Sequence, residues 1–170
     1  MSSEQAFEPV RLWGRAAMTP TIALESPLTE DLAELFARHT AAMHAETPPE
    51  SIHMMDASEL AGPGIWFFVM REEGQPIGMA AFKRIDDTHA EIKSMHVLAE
   101  LRGRGLSSLL LVHIFDAARA EGFKRLSLET GVEPIFASAR ALYEKAGFVE
   151  TGPFEGYHED PNSLFMTRLL

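Results

Sequence analysis

The sequence predicts one α+β domain, of the mixed α/β type, in which helices flank a central mixed and mostly antiparallel sheet. Three observations support this prediction. The chain has 170 residues, enough for one domain with a core that needs no disulfide or metal. Its middle third alternates apolar runs with turn residues, which predicts an antiparallel meander. Its last third alternates strand and helix patterns, which predicts helices packed on a sheet.

The first third of the chain predicts an extension, a strand and a helix. Residues 1–18 have no clear period, so we expect an N-terminal extension there and a domain over residues 19–170. A strand is predicted at Thr21–Glu25. A helix is predicted to begin at Thr29, as its N-cap, and to end before Pro48. Its core-facing residues have helical spacing: Leu28, Leu32, Leu35 and Phe36.

The middle of the chain predicts three consecutive strands. Ile65–Arg71 is a continuous apolar run between glycines, and Ile77–Ile85 follows a turn. His89–Leu98 is the third strand. Strict alternation fails within it, so we expect a bulge near Lys93–Ser94. Such a bulge would bring three apolar side chains to one face: Ile92, Met95 and Val97.

The last third predicts two helices and three strands. One helix starts at Leu106 and closes at Glu121-Gly122, and the second spans Pro134–Ala146 before Gly147. We expect Ser163–Leu170 to be an edge strand, which is compatible with a homodimer. The other strands are Arg125–Thr130 and Phe148–Thr151. The inner face of the first helix has helical spacing: Leu106, Leu109, Leu110, His113, Ile114 and Ala117.

Composition excludes several classes of protein. The 15 basic and 25 acidic residues give a net charge of −10, which disfavours nucleic acid as a partner. The chain has no cysteine, so thiol nucleophiles and zinc–cysteine sites are excluded. The seven histidines form no metal-binding pattern, and we expect no metal. No run approaches the roughly 20 apolar residues of a membrane span, and no signal peptide is evident, so we expect a cytoplasmic protein without a membrane partner.

The segment that follows the third strand of the meander has the character of a phosphate-binding loop. Gly103 and Gly105 let backbone N–H groups converge on a ligand. The helix that follows contributes unpaired N–H groups and a partial positive charge. Arg102 and Arg104 add full charges. The segment predicts a pyrophosphate site, and a plain strand-to-helix turn is the alternative.

Two motifs resemble the GNAT family of acyl-CoA N-acyltransferases. Arg102-Gly103-Arg104-Gly105-Leu106-Ser107 resembles that family's Gln/Arg-x-x-Gly-x-Gly/Ala loop, from which Ser107 departs. Ala139–Phe148 resembles its Ala-x-x-Leu-Tyr-x-x-x-Gly-Phe signature. The resemblance is specific over about residues 90–149. Phe136 also departs, because many members carry asparagine there.

The resemblance implies the GNAT fold and an acetyl-CoA-dependent N-acetyltransferase, with acetyl-CoA as co-substrate. It also implies that the strand before the loop holds the acetyl and pantetheine groups, mainly through the backbone of Met95 and Val97. The expected cofactor-binding residues are therefore Met95, His96, Val97, Arg102, Gly103, Arg104, Gly105, Leu106, Ser107 and Ser108.

Acetyl transfer to an amine poses two proton problems. An amine with a pKa of about 10 must lose a proton before it attacks, and the departing thiolate leaves better if it gains one. Without cysteine, direct attack in a ternary complex is the expected mechanism. The resemblance implies Tyr143 as the acid. Glu91 is the candidate base, with Glu129 or water as alternative bases. The alternative role for Glu91 is purely structural, as a solvated carboxylate paired with Lys93.

The expected acceptor is the primary amine of a small molecule, with a protein N-terminus or lysine as less favoured choices. Residues 1–60 hold ten acidic and three basic residues, which favours a cationic acceptor. We expect its site to be walled by residues 44–55 and by the polar loop 156–162, which includes His158. A non-catalytic acyl-CoA sensor and transfer to an oxygen nucleophile remain as alternatives.

Overall fold

Apolar strands of the described chain build one seven-stranded sheet. The computed structural model describes residues 19–170, and the predicted extension over 1–18 lies outside this range. The strands are β1 Thr21–Leu24, β2 Ile65–Glu72, β3 Gln75–Arg84, β4 His89–Val97, β5 Arg125–Gly131, β6 Val149–Thr151 and β7 Ser163–Leu169. Their order is β1-β2-β3-β4-β5-β7-β6, and all neighbours are antiparallel except β4 and β5. The predicted mixed, mostly antiparallel sheet is confirmed.

Helices cover both faces of this sheet because its central strands are apolar on both sides. The helices are α1 Ala33–Glu46, α2 Ala57–Leu60, α3 Leu106–Ala120 and α4 Ala137–Lys145. Phe68 and Phe82 point into the core shared with α3 and α4. Their strand neighbours Phe67 and Ala81 point to the opposite core, with Leu35 of α1. Alternate residues of one strand therefore serve two cores.

The central strands β4 and β5 diverge after a short parallel contact. Their paired residues run only from His89 with Arg125 to Glu91 with Ser127. Beyond Glu91, β4 continues to pair with β3 as far as Val97. The space that opens between the two strands becomes the site described below.

The predicted bulge in β4 is confirmed. Met79 pairs with His96, and Ala81 pairs with Lys93, so β4 contains one residue more than β3 over this interval. Ser94 has a φ of 55°, a left-handed conformation that is uncommon for a residue with a side chain. As expected, one core includes the side chains of Ile92, Met95 and Val97.

Four local predictions are wrong. Leu28, expected to face the core, is 61% exposed, because it lies before the first helical turn. β7 is not an edge strand, because it pairs with β5 over seven residues and with β6 on its other side, so the argument for a homodimer through it fails. Thr29 makes no N-cap bond; its hydroxyl donates to the Ser26 carbonyl, and a 3-10 turn at Glu30–Leu32 precedes α1. Leu109 is 48% exposed, because the buried face of α3 contains its neighbours Leu110 and Leu111 instead.

Within residues 19–170, none of the helices combines the length and the hydropathy that a bilayer crossing requires.

Candidate active site

A cleft of about 390 Å³, here called the donor cleft, lies beside the end of β4, beyond the point where β4 and β5 part. It runs from the end of β4, past the loop that precedes α3, to one side of α4. Nine of the ten residues predicted to bind the cofactor line it: Met95, His96, Val97, Arg102, Gly103, Gly105, Leu106, Ser107 and Ser108.

The loop before α3 presents backbone rather than side chains to the donor cleft. Gly103 and Gly105 have φ values of 83° and 76°, which favour glycine. A Cβ atom at either position would meet nothing within 4 Å, so the space above both glycines is open. Gly105 immediately precedes α3, whose first-turn N–H groups have no partner within the helix. Such groups beside open space fit a pyrophosphate.

Arg104 is the predicted cofactor residue that does not line the cleft. Its guanidinium binds the carboxylate of Glu72 on β2, with Nη1 at 3.1 Å from Oε2. This contact lowers the pKa of Glu72. The side-chain charge of Arg104 is thus directed to β2, whereas Arg102 lines the cleft.

Tyr143 lies where the donor cleft meets a second, smaller space. This inner cavity has a volume of about 120 Å³, and its polar lining includes Glu91, Lys93, Glu129 and Tyr157. The Tyr143 hydroxyl donates to the Sδ of Met95 at 3.5 Å. Burial raises the pKa of Tyr143, so the phenol keeps its proton at neutral pH.

The end of α4 fixes the position of Tyr143. Gly147 has a φ of 92° and closes the helix, which lets the Phe148 N–H donate to the Tyr143 carbonyl at 3.0 Å. The Phe148 ring then packs against the Tyr143 ring, with the ring centroids 5.7 Å apart. The predicted acid therefore sits on a rigid support.

Glu91 is a buried member of a hydrogen-bonded group. Its side chain is 5% exposed, and its Oε1 lies 3.2 Å from the Nζ of Lys93. The Tyr157 hydroxyl donates to the same Oε1. The pairing of Glu91 with Lys93 is confirmed, whereas the alternative in which this pair is solvated is wrong.

Glu129, the alternative base, lines the same inner cavity. The Ser163 hydroxyl donates to its Oε1 at 2.8 Å. Burial raises the pKa of Glu129, because the charged carboxylate loses hydration.

The sequence reasoning missed the burial of His39 and its contact with the half-buried His96. His39 of α1 faces His96 of β4, with ring centroids 5.2 Å apart, and both rings line the donor cleft. Burial lowers the pKa of each to about 4. His39 follows Leu32 and Leu35 at helical spacing, so the apolar stripe of α1 contained a signal for its burial.

The two segments predicted to wall the acceptor site come together. Residues 50–53 and 155–162 enclose a third cavity of about 490 Å³, here called the acidic vestibule. His158 lines it, and His53 and Tyr157 line both it and the inner cavity. Four carboxylates and no lysine or arginine line the vestibule: Glu50, Glu155, Glu159 and Asp160. Tyr157 and His53 carried no local sequence signal.

No group of three histidine or acidic side chains is placed to hold a metal ion within residues 19–170.

The fold and the site define a group-transfer enzyme, in which the open glycine loop and the first turn of α3 fit a phosphate-bearing donor. The sequence model of the Acetyltransferase (GNAT) family matches residues 29–148. The chain therefore belongs to the GNAT family of acetyltransferases. Its reaction is acetyl transfer, and its donor is an acyl-CoA.

Similar proteins are consistent with this membership. The chain is 40% identical over 149 residues to the uncharacterized N-acetyltransferase YsnE of Bacillus subtilis, covering 88% of this chain and 99% of that protein. It is 40% identical over 151 residues to an IAA acetyltransferase of Azospirillum brasilense, covering 88% and 97%. A crystal structure of the PaiA N-acetyltransferase of Thermoplasma acidophilum with coenzyme A has the same fold, with a TM-score of 0.71, 16% identity, and coverage of 90% and 100%.

Proposed function

We propose that the protein transfers an acetyl group from acetyl-CoA to the primary amine of a small molecule, by direct attack in a ternary complex. One observation carries the proposal: the donor cleft and the inner cavity share part of their walls. Tyr143, Met95 and Phe136 line both spaces. A thioester at the end of the cleft and an amine in the inner cavity would therefore meet beside Tyr143.

The donor cleft supports acetyl-CoA as the donor. The open loop at Gly103 and Gly105 and the first-turn N–H groups of α3 are suited to the pyrophosphate. Met95, His96 and Val97 lie on the wall between that loop and Tyr143, where the pantetheine arm would extend. Phe136 offers an apolar ring where many family members carry an amide, so the ring would contribute packing there and no hydrogen bond.

The absence of cysteine supports direct attack, since no cysteine acyl-enzyme can form. The amine nitrogen would form a bond to the thioester carbonyl carbon, and the carbon–sulfur bond would break. The amine proton passes to a base, and the CoA sulfur receives a proton from an acid. Positioning of the two substrates supplies much of the rate.

Tyr143 is the proposed acid. Its hydroxyl is buried at the junction of the two spaces, and its raised pKa keeps the proton available. Tyr143→Phe should lower kcat by roughly 10²- to 10⁴-fold, the usual range for loss of a general acid, and leave the Kd for acetyl-CoA unchanged. An unchanged kcat would remove this role from Tyr143.

Glu91 is the proposed base, acting directly or through water. Both of its recorded hydrogen bonds use Oε1, so Oε2 is the atom proposed to accept the amine proton. Glu129 is the alternative, because its raised pKa suits a proton acceptor near neutral pH. The pH–rate profiles of Glu91→Gln and Glu129→Gln distinguish them: the variant that loses the acidic limb identifies the base.

The acidic vestibule supports a cationic amine as acceptor. Its four carboxylates attract a positive charge, and its border with the inner cavity is formed by His53 and Tyr157. A primary amine is protonated at neutral pH and would be drawn in as the cation before the base removes its proton.

A CoA-release assay tests the proposal over a panel of mono-, di- and polyamines, IAA, a lysine peptide and an alcohol. Calorimetry with acetyl-CoA comes first, so that donor binding is known separately. Release of CoA with small amines supports the proposal. Binding without release over the panel would favour an acyl-CoA sensor, and release with the alcohol alone would favour an oxygen acceptor.

A further inference from the structure

Lys93 joins three segments around the inner cavity. Its side chain is 12% exposed, and its ammonium donates to the His53 carbonyl at 3.0 Å, to the Tyr157 hydroxyl at 2.9 Å and to Glu91 Oε1 at 3.2 Å. An ammonium group has three hydrogens and no acceptor. All three donors of Lys93 are therefore used, each by a partner with a different position in the chain.

The partners belong to the two walls of the acceptor site and to the strand between them. His53 lies on the segment between α1 and α2, and Tyr157 lies on the loop between β6 and β7. Glu91 lies on β4 with Lys93, two residues away, so their side chains share a face of the strand. Lys93 is the β4 residue that binds both walls.

Ring contacts hold the two walls to each other beside this ammonium. The His53 ring lies edge-on to the Tyr157 ring, with the centroids 5.1 Å apart. The Tyr157 ring packs in turn against Phe165 of β7 at 5.4 Å. These contacts would remain without Lys93, but the His53 segment would lose its bond to β4.

We propose that Lys93 is a positioning residue that fastens both walls of the acceptor site to β4 and balances the charge of Glu91. This inference rests on the proposed function, because it assigns the inner cavity and the acidic vestibule to the acceptor. Lys93 does not line the donor cleft, and neither does Glu91 or Tyr157. Its effect therefore falls on acceptor binding and leaves acetyl-CoA binding alone.

Steady-state kinetics with each substrate varied in turn test this assignment. Lys93→Met keeps the aliphatic stem and removes the charge, and it should raise the acceptor KM roughly tenfold, as expected for lost hydrogen bonds to a charged group. The acetyl-CoA KM should stay at its wild-type value. Lys93→Arg should give an acceptor KM between those of Lys93→Met and the wild type, because arginine restores a charge and several hydrogen-bond donors. Lys124→Met, at an exposed lysine, is the matched control and should behave as wild type.

Tyr157→Phe provides a second variant if Lys93→Met folds poorly. It removes the oxygen that accepts from Lys93 and donates to Glu91, but it keeps the ring contacts with His53. The acceptor KM should rise again without a change in the acetyl-CoA KM. A wild-type acceptor KM in this variant, or an equal rise of both KM values in Lys93→Met, would overturn the positioning role.

Hydrogen exchange measures the same role without any acceptor. In Lys93→Met, backbone amides of residues 52–56 and 155–162 should exchange faster than in the wild type, while those of residues 101–105 keep their rate. Unchanged exchange in the two walls overturns the inference, whatever the activity. A wild-type enzyme that acetylates no amine would contradict the proposed function instead, so the two failures can be told apart.

Discussion

The buried histidine His39 should make the stability of this protein depend on pH well above the range in which carboxylates titrate. His39 is 8% exposed, and burial lowers its pKa from about 6.5 in the unfolded chain to about 4 in the folded protein. The unfolded state therefore binds more protons between these two values. The contribution of neutral His39 to the free energy of unfolding should be fully present above about pH 6.5 and should be lost as the pH decreases towards 4. Proton linkage gives a loss of about 2 kcal/mol between pH 7 and pH 5 from His39 alone.

Urea unfolding followed by circular dichroism at the two pH values measures this loss. His39→Gln removes the titrating ring but keeps a polar side chain of similar length, so the difference in unfolding free energy between the two pH values should shrink by about 2 kcal/mol. His44→Gln is the matched control, because His44 is an exposed residue of the same helix. If the unfolding free energy of His39→Gln differed between the two pH values as much as that of the wild type, the argument that the imidazole is buried in its neutral form would be refuted.

Three further predictions test the loop, an ion pair and the core. Gly105→Ala should lower the free energy of unfolding by about 1 kcal/mol and raise the acetyl-CoA KM, because the φ of Gly105 is 76°. Gly152→Ala, at a residue without a positive φ, should change neither the free energy of unfolding nor this KM. Arg71→Met should lower the free energy of unfolding by about 1–3 kcal/mol, because Glu25 and Asp31 both lose their partner. Arg119→Met, which breaks the exposed pair with Asp116, should lower it by less than about 1 kcal/mol in the same urea titration. Leu110→Ala should cost about 2–5 kcal/mol and Leu109→Ala far less, since only Leu110 is fully buried; equal losses would contradict the observed face of α3.

Most element positions were predictable because they depend on neighbours in the chain. The alternation of β4 fails at the point where the structure has its bulge, and the glycines before α3 and after α4 stand at the helix boundaries. The same holds for the donor cleft, whose loop and strand end are contiguous in sequence from Met95 to Ser108. The predicted edge position of β7 failed because strand order depends on which strands pair, and pairing is not a local property.

The acceptor side was predictable only as two polar segments. Glu91 and Tyr157 are 66 positions apart, and Lys93 and His53 are 40 apart, so no periodicity connects them. The burial of Glu91, which contradicts the alternative of a solvated pair, likewise arises from loops that close over β4.

The sequence by itself determined the order of strands and helices, the glycine loop and the place of Tyr143 in a helix, because backbone conformation and hydrophobic spacing act over a few residues. Only the tertiary structure decided what surrounds that tyrosine. The parting of β4 from β5 opened the inner cavity beside it, and packing of α1 on β4 brought His39 against His96. Their neutrality and the ion pair at Glu91 depend on loss of water, which is set by every segment that packs around them.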